Sequence, residues 1–80
     1  MHIVQDFEAQ GLKVHVSTIT PGENPLILSA ETCIFWGVKD TNAFSEVVWT
    51  GKPEFAMYSH KDVIARIKSG EIDLREMQRR

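Results

Sequence analysis

The side chains with the most chemical potential fall in one run, Tyr58-Ser59-His60-Lys61-Asp62, while Cys33, His2 and His15 stand apart from it. A hydroxyl beside an imidazole raises the question of nucleophilic catalysis, in which the base removes the nucleophile's proton. The spacing argues otherwise. Adjacent side chains at a helix start diverge, and Ser59 with Asp62 has the S-x-x-D form of a capping box, which gives the serine a structural role. Cys33 sits in an apolar strand-like run and reads as a packed thiol. No C-x-x-C or H-x-x-x-H spacing gathers ligands for a metal. Gly51-Lys52 is not a phosphate loop, because Glu46 occupies the position of the earlier glycine and Pro53 that of the required Ser or Thr. The expectation is a non-enzymatic protein with no catalytic, metal-ligating or cofactor-binding residues.

Charge gives a second candidate. The net charge of −2 is small, but residues 1–58 hold seven carboxylates against Lys13, Lys39 and Lys52. Residues 59–80 reverse the balance, with Lys61, Arg66, Lys68, Arg75, Arg79 and Arg80 against Asp62, Glu71, Asp73 and Glu76. Two short helices around Ser69-Gly70-Glu71 have the outline of a helix-turn-helix, so nucleic-acid binding by this tail is the alternative reading. A reading helix from Leu74 to the end would be barely two turns and would carry Glu76, which makes it the weaker one.

The elements that position these residues follow from periodicity. At 80 residues, 42% hydrophobic and 25% charged, the chain has the composition of one ordinary globular domain. A chain of that length buries only about 60% of its unfolded surface, and with one cysteine it has no internal disulfide. A reducing, cytoplasmic setting follows from that cysteine usage. The start has no basic segment leading into an apolar run, and Cys33-Ile34-Phe35-Trp36 is the longest apolar stretch, so neither secretion nor membrane insertion is expected.

The opening residues alternate up to a turn at Glu8-Ala9-Gln10-Gly11, and Leu12 to Thr18 alternate again, which predicts a hairpin with one wet face. Pro21-Gly22-Glu23-Asn24-Pro25 is the strongest turn signal. Beyond it, residues 25–36 fit either a helix framed by Asn24, Pro25 and Gly37 or strands near Leu26–Ala30 and Cys33–Lys39; strands are preferred. Phe44–Thr50 and Glu54–Tyr58 then continue the meander, separated by Asp40-Thr41-Asn42-Ala43 and Gly51-Lys52-Pro53. At Ser59 the period changes to 3.6. A helix is predicted from His60 to about Ser69, stapled by Tyr58 and Val63 and ended by Gly70, with a short terminal helix capped by Asp73 and stapled by Ile72 and Met77.

The expected fold is therefore α+β: a four- or five-stranded antiparallel, meander-like sheet in a β-rich body (1–58), with a helical tail (59–80) packed on one face. If the loops set the register, Ile34, Trp36, Val38, Val47, Trp49, Phe55 and Met57 form the core face. Phe35, Phe44, Val48 and Tyr58 then lie on the opposite face. Either the first hairpin covers them by rolling the sheet, or they bind a partner, another protein or a second copy of the chain. A regulator or inhibitor acting through that aromatic face is the leading functional expectation. A small-molecule pocket between sheet and helix near Trp36 and Trp49 is the least favoured.

Overall fold

A computed structural model describes residues 2–22, 29–37 and 44–79. Four strands, β1 (His2–Ala9), β2 (Leu12–Ile19), β3 (Ala30–Gly37) and β4 (Phe44–Gly51), form one antiparallel sheet in the order β1-β2-β3-β4. A 3₁₀ turn at Pro53–Phe55 leads into helix α1 (Ala56–Ser69), and a short helix, α2 (Leu74–Gln78), follows. The α+β meander with a helical layer is the architecture expected. The turn at residues 23–25, residues 26–28 of the expected strand Leu26–Ala30, Val38, Lys39 and the 40–43 loop lie outside the described residues, while Ala30 opens β3.

The first hairpin is set by its turn. Gln10 and Gly11 both have positive φ, 57° and 73°, the two-residue geometry whose twist matches that of the flanking strands. Ala9 then pairs with Leu12, and the register runs without interruption to His2 opposite Ile19. Alternation in β2 sends Leu12, Val14, Val16 and Thr18 to the helical side, where all four are buried. Their neighbours across the ladder are Trp36, Ile34 and Thr32 of β3. Val63, Ile64 and Ile67 of α1 and Leu74 of α2 close the core over them.

Two expectations fail in the second half, each for a local reason. Glu54–Tyr58 is not a strand. Pro53 lacks an N–H and fixes φ near the helical value, so it starts a 3₁₀ turn that becomes α1 at Ala56, four residues before the predicted start. Ser59 and Asp62 are consequently inside the helix and cap nothing. Phe55 and Met57, placed in the core by a strand reading, are exposed, whereas Ala56 is fully buried.

The second failure is one of register. Thr32 pairs with Trp49, but Cys33 pairs with Val47, so Val48 is an extra residue, a β-bulge. Parity along β4 therefore changes at Val48. Phe44 opposite Trp36 and Trp49 opposite Thr32 share the helical side, and Val47 turns to the other face, 51% exposed, instead of entering the core.

The helix ends behave as the sequence indicates. Gly70, at φ 83°, closes α1 in the left-handed conformation, with its N–H donating to the Ile67 carbonyl and the Ile72 N–H donating to that of Arg66. Asp73 caps α2 by accepting from the Arg75 and Glu76 N–H groups. Ile72 and Met77 both pack against the core.

Candidate partner-binding groove

The run Tyr58-Ser59-His60 is divided by the helix it belongs to. Tyr58 projects to solvent, 73% exposed, while Ser59 and His60 both face the sheet and are buried. They meet two threonines there. Thr18 Oγ1 is hydrogen-bonded to His60 Nδ1 and to Thr32 Oγ1, each at 2.8 Å, and Thr32 Oγ1 lies 3.1 Å from Ser59 Oγ. This polar quartet joins β2, β3 and α1 and satisfies groups whose burial would otherwise be costly. Burial lowers the His60 pKa, favouring the neutral ring. Thr18 and Thr32 are fully buried, so the hydroxyl beside the imidazole offers no surface for a substrate to approach.

A second polar element is Gln10, in the first hairpin turn. Its side-chain amide donates to the carbonyls of Ile67, at 2.9 Å, and Ile72, at 2.7 Å, and its oxygen accepts from the Leu74 N–H at 3.0 Å. Those backbone groups belong to the end of α1, the interhelical turn and the start of α2, where helix ends leave groups short of partners, and the Ile67 carbonyl also accepts from the Gly70 N–H. Gln10 thereby fastens α2 to the sheet. Sequence reasoning treats it only as a turn residue, because its three bonds span more than fifty positions.

α2 and the interhelical turn lie against α1 on the β4 side, and between them and β4 runs an open groove of about 930 Å³. Its apolar lining comes from Val47, Val48, Trp49, Val63, Ile72 and Met77, with Phe55 and Tyr58 contributing aromatic rings. Gly51 matters to this shape. A Cβ there would stand 2.6 Å from Trp49 Cζ2, so the missing side chain is what lets the indole lie across the end of β4. Glu46, Asp62, Glu71, Asp73 and Glu76 supply carboxylates to the lining, against Lys52 and Arg66. The Arg66 guanidinium is engaged already, donating through Nε to Asp62 at 2.8 Å and through Nη1 to Glu71 at 3.2 Å.

The four residues expected to share one aromatic face are thus separated. Val48 and Tyr58 line the groove. Phe44 stacks on Trp36 with ring centroids 5.7 Å apart, on the helical side of the sheet. Phe35 alone is on the opposite face, edge-on to His15 at 5.6 Å. Among the described residues no element packs on that opposite face, so rolling of the first hairpin over it is not seen. Its polar groups pair within the sheet, His15 Nδ1 with Asp6 Oδ1 and His2 Nε2 with Ser17 Oγ, each at 2.6 Å. Cys33 lies half-buried there, and desolvation followed by the charge of Glu31 raises its pKa, which keeps the thiol protonated and weakly nucleophilic.

The basic side chains of the tail are dispersed. Besides Arg66, Lys68 places its ammonium 5.2 Å from the Phe7 ring centroid and Arg75 approaches the Gln10 carbonyl at 3.5 Å. Arg80 lies outside the described residues, and α2 is five residues long. Among the described residues no group of three or more His, Cys, Asp or Glu is placed to hold a metal ion, and no helix is long and apolar enough to cross a membrane. No protein-family model matches the chain, nor does any curated protein or solved structure.

Proposed function

We propose that the protein is a small interaction module, a regulator or inhibitor, which binds an extended segment of another protein in the groove between β4 and α1. One observation carries this reading: an apolar groove lies directly beside an edge strand, with Tyr58 and Phe55 exposed at its border. An added strand beside β4 would direct alternate side chains toward the helical side of the sheet, where the groove receives them. The bulge at Val48 interrupts β4 between two short regular stretches, Phe44–Val47 and Trp49–Gly51. Main-chain bonds are then few, and side chains in the groove must supply both affinity and selectivity. The half-buried free cysteine suits a reducing compartment such as the cytoplasm.

Panning a library of random linear peptides on the immobilised protein tests this. The expected outcome is enrichment of peptides whose binding is lost with Tyr58→Glu, a substitution at an exposed position that leaves the melting temperature unchanged. Failure to enrich any peptide, or enrichment of peptides indifferent to Tyr58→Glu, contradicts it. Concentration-dependent light scattering identifies a second copy of the chain as the occupant instead.

A further inference from the structure

Resting on that reading, we infer that the segment the groove accepts is cationic, with Arg or Lys at alternate positions facing the helices and β-branched residues between them. The groove is mixed in character: apolar across Trp49 and Met77, and acidic where α1 meets α2, through Asp62, Glu71, Asp73 and Glu76. Two of these carboxylates share the single guanidinium of Arg66. Asp73 is held by backbone N–H groups, which orient it without cancelling its charge. A purely apolar side chain entering this space would desolvate carboxylates without pairing them, which is costly. An acidic one would add repulsion.

Arg and Lys satisfy both parts at once. Their aliphatic stems cover apolar surface while the charged head stays at the wet, acidic margin. Arg is better suited than Lys, because its planar guanidinium pairs with carboxylates in two-pronged fashion and stacks on aromatic rings such as those of Tyr58 and Trp49. The alternation follows from the strand geometry. Residues between the groove-facing ones emerge on the other side of the sheet beside Val47, whose exposed side chain favours a β-branched neighbour. Selectivity against acidic segments comes from the same carboxylates.

Three synthetic peptides of alternating sequence, Arg-Thr, Glu-Thr and Gln-Thr, separate this inference from the reading beneath it, with binding followed by the fluorescence of half-buried Trp49. The expected result is that Arg-Thr binds most tightly, weakens as salt is raised, and loses about fivefold in affinity with Glu76→Lys, the size of one lost surface ion pair. Glu71→Gln, which leaves α2 untouched, provides a second variant and is expected to weaken binding in the same direction. If Gln-Thr or Glu-Thr binds as well as Arg-Thr and Tyr58→Glu abolishes it, the groove is the site and the cationic preference is wrong. If none of the three binds, both the preference and the groove reading fall.

Discussion

The two faces of the sheet differ in what they present and have opposite fates. Toward the helices, β2 and β3 present Leu12, Val14, Val16, Thr18, Ala30, Thr32, Ile34 and Trp36, all buried and none charged. Toward the other side, β1 to β3 present Val4, Ile19, Cys33 and Phe35 among Asp6, Glu8, Lys13 and Glu31. Apolar content and burial thus go together, and the polar groups separate the two faces further: hydroxyls and a neutral imidazole that bond one another on the covered side, ionisable pairs in water on the open side. A core can accept polar side chains that partner one another, as the Thr18–Thr32–Ser59–His60 quartet does, whereas the buried Trp36 Nε1 has no hydrogen-bond partner among the described residues.

Substitutions can break this contrast. Ile67→Ala, at a fully buried position in α1, is expected to cost about 2–5 kcal/mol in a urea unfolding experiment, enough to threaten a domain of this size. Val4→Ala on the open face is expected to change stability by less than about 0.5 kcal/mol. Comparable losses at the two sites would mean that something covers the open face in solution. Gln10→Ala should lie between them. Losing three side-chain hydrogen bonds there predicts destabilisation on the order of 2 kcal/mol, together with early exchange of the Leu74 amide as α2 detaches.

The smallest effect sharpens the role of the quartet. The His60 pKa is lower in the folded chain than its ordinary value of 6.5 because the ring is buried. The unfolded chain therefore binds the proton more readily. This contribution is complete above pH 6.5 and is lost as pH falls from there through the depressed folded value. Unfolding free energy measured as a function of pH should decline across that window, and His60→Asn, which can keep the bond to Thr18 without titrating, should flatten the decline. An unchanged profile would show that His60 is already well solvated.

The same quartet explains what was legible in the sequence. The clean alternation of Leu12 to Thr18 identifies β2 at once, and Gly70 and Asp73 mark the helix boundaries because each performs its function with nearby backbone. The start of α1 is obscured, since its buried stripe passes through Ser59 and His60, whose polarity looks like an interruption until Thr18 and Thr32 are seen opposite them. Pro53 is the signal that points to the earlier start. The candidate site was only half legible. Val48 and Tyr58 do line one groove, but Phe35 and Phe44 are elsewhere, because one bulged residue reverses parity along β4 and a helix replaces the expected fifth strand. Neither the bulge nor the Gln10 clamp leaves a mark on local hydrophobic pattern.

We propose that the interaction surface is the groove beside β4 and not the open sheet face. Methyl chemical-shift mapping by NMR on addition of a library-selected peptide tests it most directly, since the two surfaces carry separate sets of methyl groups. Large shifts are expected at Val48, Val63, Ile72 and Met77, with Val4 and Ile19 unmoved. Shifts concentrated at Val4 and Ile19, with the groove methyls silent, would contradict it.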